Sequence, residues 1–295
     1  MEKERKNRSV MYLAQKYMKS RSKFVVGKSH YFTITGICLG VCALLCVSSV
    51  MNGFRNDIKS RIMGTLSEIR LQSHDTAPIT DYNSVIKKLQ NKGYSASGVV
   101  RTELLIKYGS VSVPAVCFGI DPYQHQAVST ILKNQQSNNP KDGIIAGALN
   151  PSNFNAGEVI LGAGLASQLG VYIGDTIQLV SPVFNIPTAF GLLPKVYSLN
   201  VAGIFSAGMP EYDQSFSFVP LSVAQFFNGY EDVVDYIEIR SSHPDRSKHN
   251  MLSLTRELPD YRFDDWSSFD SSLYTAIQFE KFLMFVIILF MFIIA

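Results

Sequence analysis

The stretch YFTITGICLGVCALLCVSSVM, residues 31–51, decides how the rest of the sequence is interpreted, because it has 21 positions without a charged residue. A helix rises about 1.5 Å per residue, so a helix of this length covers a hydrocarbon core of about 30 Å. The stretch therefore predicts a transmembrane helix. A cleavable signal peptide is the alternative, although its apolar region would be only about 7–15 residues long.

The residues before this span are strongly basic. Residues 1–30 contain nine Lys or Arg and two acidic residues, a net charge of +7, whereas the whole chain carries +3. By the positive-inside rule the N-terminus is cytoplasmic and the chain leaves the span on the far side. Val10, Leu13, Ala14 and Tyr17 have helical spacing, which predicts an amphipathic helix on the inner membrane surface. A solvated basic leader is the alternative.

A second apolar run, FLMFVIILFMFIIA, occupies residues 282–295. Its 14 residues correspond to about 21 Å of helix, which is too short to cross a membrane. We interpret residues 276–295 as the start of a second transmembrane helix in a truncated polypeptide. The alternative is a buried C-terminal helix, which would need apolar neighbours on every side.

Between the two apolar runs the sequence predicts a helical stalk and a domain outside the membrane. Phe54, Ile58, Ile62 and Leu66 keep helical spacing, so residues 52–66 are predicted to continue the first span. Residues 67–275 form the outside domain, with a strand-rich insertion at about 121–218. We therefore predict an α+β membrane protein.

Alternation of apolar and polar residues, bounded by turn residues, sets the predicted elements of that domain. The predicted strands are 67–73, 98–108, 110–120, 158–162, 175–182, 198–206, 215–222, 234–241 and 261–266. The predicted helices are 81–91, 163–170 and 243–258. Residues 182–197 are left as a long connection between two strands.

Composition and motifs give no sign of an enzyme. With 46% hydrophobic and 17% charged residues the chain is not a disordered protein, and four cysteines do not make a disulfide scaffold. Cys38, Cys42 and Cys46 form one stripe of the first span, which is typical of helix packing. No Cys/His cluster has zinc spacing, and no nucleophile elbow occurs. We predict no catalytic residue, no metal and no cofactor.

Four ordered blocks of sequence carry a resemblance to a known family. The first is residues 34–69, with SVMNGF at 49–54 as its core, and the second is GEVILGAGLASQLGVYIGDTIQLVSP at 157–182. The third and fourth are residues 198–225 and 264–289. Together the blocks resemble LolC/LolE-type lipoprotein-releasing ABC transporter permeases, within the superfamily that includes MacB-like and FtsX-like permeases.

The resemblance implies a bacterial inner-membrane permease subunit with a MacB-like periplasmic domain. That domain has a βαβ porter part and an inserted strand-rich part. The resemblance also implies a cytoplasmic ABC ATPase as a partner, so that this chain is not itself an enzyme. It further implies a second permease subunit, as a homodimer or heterodimer, an acylated lipoprotein as substrate and a periplasmic lipoprotein carrier.

Two sets of site residues follow from the resemblance. Val47, Met51 and Phe54 lie one turn apart near the outer end of the first span, and we predict that they contact lipid or substrate acyl chains; ordinary helix packing is the alternative. The connection 182–197 corresponds to the hairpin that reaches for the carrier in the LolC branch. The predicted carrier-binding residues are Phe184, Phe190, Gly191, Leu192 and Pro194.

Alternatives remain open for the connection and for the function. The T-x-x-G-x-x-P pattern of the connection fits the LolC branch, but a basic residue expected between Gly191 and Pro194 is absent. DQSFSFVPLSVAQ, residues 213–225, is closer to the LolE branch. The connection could instead pack on its own domain. The alternative function is an FtsX-like or MacB-like permease that acts on a cell-wall hydrolase or an efflux substrate, and a membrane-anchored enzyme is a third.

Overall fold

The computed structural model describes residue 16 and residues 24–132, 143–188, 191–243, 246–269 and 271–294. The chain divides into two compact units. The first, the helical unit, comprises Met1–Asn56 with Thr275–Ala295, and the second, the sheet unit, comprises Asp57–Tyr274.

The helix α1, Phe24–Thr65, is 42 residues long and contributes to both units. It contains the predicted span and the predicted stalk without a break. Among the described residues, one helix, over Ile34–Thr65, is long and apolar enough to cross a membrane. Its apolar side chains are exposed, as Leu39 and Val50 show at about 70% of their surface. Such exposure suits a lipid-facing helix better than a core helix.

The described strands form one ten-stranded sheet in the sheet unit. The strands are β1 Ile69–Ser73, β2 Ser95–Tyr108, β3 Val111–Ile120, β4 Gly143–Gly147, β5 Glu158–Gly162, β6 Thr176–Thr188, β7 Gly191–Ser206, β8 Phe216–Pro220, β9 Tyr236–Arg240 and β10 Tyr261–Asp265. Their order is β10-β1-β9-β2-β3-β8-β5-β7-β4, and β6 pairs with β2 and β7. β3 pairs with β8 and β5 with β7 in parallel, and the other pairings are antiparallel.

Short helices connect these strands. They are α2 Tyr82–Asn91, α3 Pro122–Val128, α4 Pro151–Asn155, α5 Ala163–Leu169, α6 Pro210–Ser215, α7 Leu221–Asn228, α8 Ser247–Glu257 and α9 Trp266–Phe269, and α10 Ser271–Ile294 follows them. The mixed content of helix and strand confirms the predicted α+β class. The strands β4 to β8 belong to the predicted insertion, about 121–218, except for the end of β8. Its existence as a separate part stays a prediction.

The sequence prediction misses five short helices, α3, α4, α6, α7 and α9, and three of them carry a start signal. α3, α4 and α6 all begin with proline at the first helical position, where no backbone N–H is needed. Asp121 accepts a hydrogen bond from the Tyr123 amide, and Asn150 accepts one from the Ser152 amide. These caps satisfy backbone groups that the helix leaves without a partner.

The treatment of residues 182–197 as a connection was wrong. β6 continues to Thr188 and β7 begins at Gly191, so that the two strands pair as a long hairpin, as the resemblance implies. The pairing is irregular between Val180 and Ile186, where the register shifts. Pro182 lies within this irregular stretch, where it interrupts no regular ladder pairing.

Two apolar clusters cover the two faces of the sheet. Alternation along β5 shows the division, because Val159 and Leu161 belong to one cluster and Ile160 to the other. The first cluster includes buried side chains of α2, α5 and α7, and the second includes Phe118, Phe205 and Phe218. Ile62 and Leu66 belong to the second cluster, so the end of α1 packs on that face.

Candidate functional site

Within the helical unit, α1 and α10 line an open groove of about 560 Å³, which we call the helix groove. Its lining residues are Leu45, Ser48, Ser49, Met51, Asn52 and Arg55 from α1, and Glu280, Met284, Phe285 and Ile288 from α10. The α1 residues recur at intervals of three and four, so they share one side of the helix.

The helix groove combines apolar and polar groups. Leu45, Met284, Phe285 and Ile288 supply apolar surface, and methionine adapts readily to flexible apolar ligands. Hydroxyl and amide groups of Ser48, Ser49 and Asn52 lie along the same wall. Arg55 and Glu280 are the two charged lining residues. This arrangement can accommodate a flexible apolar chain that carries a polar end.

Only one of the three residues predicted to contact acyl chains lines the helix groove. Met51 lines the helix groove. Val47 and Phe54 do not line it, and 50% and 56% of their respective surfaces are exposed. The reason is helical geometry: at about 100° per residue, Val47 and Phe54 point away from the side that carries Leu45, Ser48 and Asn52. Sequence spacing groups residues on one face but does not tell which face a neighbouring helix covers.

In the sheet unit, the β6–β7 hairpin exposes apolar side chains at its outer part. Val183 is 61% exposed, Leu192 is 58% exposed and Leu193 is 52% exposed. Lys195 anchors the stem: its ammonium donates a hydrogen bond to the Phe226 carbonyl at 2.7 Å and lies 5.2 Å from the Phe226 ring. The hairpin therefore has an anchored stem and apolar side chains that are more than half exposed.

The predicted carrier-binding residues lie in this hairpin. Phe184 pairs with Pro194 in the strand register, and Gly191 pairs with Thr188 next to the turn. Leu192 is exposed and Pro194 is partly buried. Phe190 lies outside the described residues. Carrier binding by this segment and its packing on its own domain both stay predictions.

Five charged or ionisable side chains come together inside the sheet unit, on the face that carries the end of α1. They form the buried charged cluster, which consists of Glu68, Arg70, His125, Glu238 and Arg240. No motif in the sequence predicts it. The available signal was alternation along β9, where Tyr236, Glu238 and Arg240 share one face and Ile237 and Ile239 the other.

Directed contacts hold the buried charged cluster together. The Arg70 guanidinium lies 3.3 Å from Glu238 Oε1 and 3.9 Å from the centre of the Tyr236 ring. His125 Nδ1 lies 3.2 Å from Ser97 Oγ, and His125 Nε2 lies 4.0 Å from Glu238 Oε2. The Ser241 amide donates to Glu68.

Burial dominates the protonation of this cluster. Desolvation raises the pKa of Glu238, while Arg70 and Arg240 oppose that rise. Desolvation, assisted by the positive charge of Arg240, lowers the pKa of His125 to about 3. His125 is therefore neutral at physiological pH. Burial also lowers the pKa of Arg240, and Glu68 and Glu238 counteract this effect.

Two observations on the described residues concern metal binding and the thiol of Cys117. In this part of the chain no group of three His, Cys, Asp or Glu side chains is placed to hold a metal ion. Cys117 is fully buried, and burial raises the pKa of its thiol to about 12. A thiol with such a pKa is a poor nucleophile, because the thiolate is the reactive form.

The chain combines a single-sheet α+β domain with a helix that is long and apolar enough to cross a membrane. The chain belongs to the family described as MacB-like periplasmic core domain, whose sequence pattern matches residues 31–248. The match covers most of α1 and the sheet unit up to the start of α8.

Curated relatives place the chain within this family. The lipoprotein-releasing system transmembrane protein LolC of Neisseria meningitidis serogroup B is 28% identical over 265 residues, which cover 87% of this chain and 60% of that protein. The corresponding protein LolE of Haemophilus influenzae is 26% identical over 287 residues, covering 93% of this chain and 65% of that protein. These relatives confirm the resemblance to LolC/LolE-type permeases.

The chain spans about 60% of the length of the LolC proteins that it matches. Among solved structures, the periplasmic region of MacB from Actinobacillus actinomycetemcomitans has a TM-score of 0.43 and 14% identity. That match covers 72% of this chain and 95% of the MacB region.

Proposed function

We propose that this chain is a transmembrane permease subunit of an ABC transporter that extracts acylated lipoproteins from the bacterial inner membrane. The lipoprotein would pass to a periplasmic carrier and then to the outer membrane. The observation that carries the proposal is the similarity, over most of the chain, to transmembrane proteins named for lipoprotein release. In this arrangement the N-terminus is cytoplasmic and the sheet unit is periplasmic.

The helix groove is the proposed acyl-chain site. Withdrawing a lipid chain from a bilayer costs about 0.8 kcal/mol for each CH₂ that loses its apolar surroundings. A groove with Leu45, Met51 and Phe285 in its wall would replace part of those surroundings and lower that cost. Val47 and Phe54 lie on another side of α1, where we propose that they meet acyl chains beside a second permease subunit.

The β6–β7 hairpin is the proposed carrier-binding element. Phe184, Phe190, Gly191, Leu192 and Pro194 belong to it, and Leu192 offers an exposed apolar side chain. Exposed apolar surface of this kind is typical of a site that a partner covers. A carrier that binds lipid chains would present a complementary apolar surface.

The energy for extraction would come from a separate ABC ATPase on the cytoplasmic side. The relatives that this chain resembles are named as transmembrane proteins of lipoprotein-releasing systems, which supports the role of a permease subunit. A second permease subunit, identical or different, would complete the transport pathway.

Photo-crosslinking in living cells tests this function. A photoreactive amino acid replaces Met51 or Leu192 in the full-length protein, with lipoproteins labelled by radioactive palmitate. Leu39, which is exposed on the same helix as Met51 but does not line the groove, is the control for the first site. Val111, an exposed residue in another part of the sheet unit, is the control for the second.

We expect capture of palmitate-labelled lipoprotein at Met51 and of a periplasmic carrier at Leu192, each well above its control. Capture of a cell-wall hydrolase, with no labelled lipoprotein at either position, would replace the proposal by the FtsX-like function. Equal labelling of Met51 and Leu39 would show that the groove does not select the acyl chain.

A further inference from the structure

The carbonyl groups in the last turn of α1 accept hydrogen bonds mostly from residues outside the helix. An α-helix leaves its last four carbonyl groups without partners inside the helix. In α1 the Ile62 carbonyl accepts a hydrogen bond from the Leu66 amide at 2.9 Å, which is a local cap. The carbonyls of Met63, Gly64 and Thr65 accept hydrogen bonds from residues that lie far away in the sequence.

Two of these carbonyls are bound by the segment that follows α3. The Gly64 carbonyl accepts from the Thr130 amide at 2.9 Å and from Thr130 Oγ1 at 3.1 Å. The Thr65 carbonyl accepts from Ser129 Oγ at 3.3 Å. A Cβ atom on Gly64 would lie 2.8 Å from Thr130 Oγ1, so glycine permits this close approach.

Arg240 binds the remaining carbonyl. Its guanidinium donates to the Met63 carbonyl, 177 residues earlier in the sequence, and also to the Val128 carbonyl at the end of α3. A cation near the C-terminus of a helix interacts favourably with the helix dipole. Glu68 and Glu238 favour the charged form of Arg240 electrostatically. The arginine thus links α1, α3 and β9 at one point.

The segment that follows β10 is hydrogen-bonded close to the end of α1. The Trp266 amide donates a hydrogen bond to the Glu68 carbonyl at 3.1 Å, directly after β10. On the other side of Glu68, β1 pairs with both β9 and β10. Glu68 lies three residues after the end of α1 and directly before β1. Its hydrogen bond with Trp266 therefore links the start of β1 to the start of α9.

Apolar packing and these hydrogen bonds restrain the helix in different ways. Ile62 and Leu66 hold the last turns of α1 against the sheet, but apolar contact has no directional preference. Hydrogen bonds to three successive carbonyls fix both the rotation and the axial position of the final turn, because their geometry is narrow.

We propose that Arg240, together with Ser129 and Thr130, forms a rigid joint through which movement of α1 is passed to the sheet unit. This inference rests on the proposed function, since it concerns how a conformational change in the membrane would reach the hairpin. Arg240 is a positioning residue in this proposal and does not contact the substrate. The residues that form the joint belong neither to the helix groove nor to the hairpin.

The test uses the full-length protein with its ATPase and partner subunit in proteoliposomes. The variants are Arg240→Met, which removes both donors to the carbonyls, and Arg240→Lys, which retains the charge but not the forked geometry. Arg256→Met, which changes an exposed arginine in α8, is the control. Three quantities are measured: lipoprotein capture at Met51, ATP hydrolysis and lipoprotein released to the carrier.

We expect Arg240→Met to keep capture and ATP hydrolysis within twofold of the parent, while release per ATP hydrolysed falls at least tenfold. For Arg240→Lys we expect release per ATP hydrolysed to lie between the values of the parent and of Arg240→Met. Arg256→Met should match the parent. A merely structural role would reduce all three quantities together. Release per ATP at the parent level in Arg240→Met would overturn the proposal.

A second pair of variants covers the case in which Arg240→Met does not assemble. Ser129→Ala and Thr130→Val together remove the side-chain donors to Gly64 and Thr65 while leaving the Thr130 amide in place. They should lower release per ATP severalfold, and unchanged coupling would again overturn the proposal.

Amide hydrogen exchange separates failure of the joint from failure of the proposed function. If the parent releases no lipoprotein, residues 62–66 are followed with and without ATP. Protection that changes with nucleotide in the parent but not in the Arg240 or Ser129/Thr130 variants supports the joint whatever the substrate. Protection that does not respond to nucleotide in the parent rejects the joint.

Discussion

The buried charged cluster and the β6–β7 hairpin lie in the same sheet unit, and each departs from the usual placement of side chains. The cluster buries charged groups, whereas the hairpin exposes apolar ones. In the cluster, Glu68 and Glu238 are almost completely buried, whereas in the hairpin Val183 and Leu192 are more than half exposed. Burying charge is costly unless each group is paired, and a large exposed apolar surface invites association. The first arrangement fixes neighbouring elements to each other, and the second leaves a surface for a partner.

The largest expected effect comes from breaking an ion pair in the cluster. Arg70→Met leaves Glu238 buried without its nearest cation, and removing one member of a buried pair costs about 3–5 kcal/mol of unfolding free energy. Chemical unfolding of the detergent-solubilised protein measures the change. Fluorescence of Trp266, the single tryptophan, reports on the sheet unit.

Two variants show whether burial is the cause of that effect. Arg101→Met breaks the exposed pair with Glu103 and should cost no more than about 1 kcal/mol. The double variant Arg70→Met, Glu238→Leu removes both charges and should recover part of the loss. If the double variant is as unstable as the sum of both single variants, the electrostatic explanation is wrong.

An effect of similar size is expected from pH. The pKa of His125 is about 3 in the folded protein, below the value of about 6.5 of an unperturbed histidine. The unfolded chain therefore binds a proton first as the pH falls. Stability is lost progressively below pH 6.5, by about 1.4 kcal/mol per pH unit from this group, until the folded value near 3 is reached.

His125→Asn should remove this part of the pH dependence, as measured by unfolding midpoints between pH 7 and 4. His249→Asn, which changes an exposed histidine in α8, is the control and should keep the parent slope. The raised pKa of Glu238 acts in the opposite direction, because a proton bound by the folded state on acidification stabilises it. Parallel curves for the parent and His125→Asn would contradict the prediction.

The smallest effect on stability is expected in the hairpin. Leu192→Ser and Leu193→Ser change side chains that are already more than half exposed, so each should alter the unfolding free energy by no more than about 0.5 kcal/mol. Crosslinking of the hairpin to the proposed carrier should nevertheless fall at least tenfold. A large loss of stability with unchanged crosslinking would show that these leucines pack within the domain.

Strands with regular alternation could be predicted from sequence, whereas the buried face of β9 could not. Tyr236, Glu238 and Arg240 alternate with isoleucines, and such a pattern normally indicates one face toward solvent. Here the polar face lies beneath the end of α1 and beside α3. Only the packing of elements distant in sequence reveals that these charges are buried.

The hairpin shows a different limit of sequence analysis. Pro182, Pro187 and Pro194 interrupt the pattern of a regular strand, and a proline within a run normally indicates an edge or a loop. The pairing of β6 and β7 nevertheless continues past them. Pro182 lies in the stretch where the register shifts, whereas Pro187 pairs with Leu192 and Pro194 pairs with Phe184. The resemblance to a family with a hairpin at this position was more informative than periodicity.

The sequence by itself determined the apolar span, the basic segment before it, the mixed α+β content and the family, since composition, period and ordered motifs are local properties of the chain. Tertiary structure alone decided which side of α1 meets α10, and so why Met51 lines the helix groove and Val47 and Phe54 do not. It also decided that Arg240 reaches the Met63 carbonyl. Both depend on contacts between distant segments, and the chain fixes those contacts only when it packs.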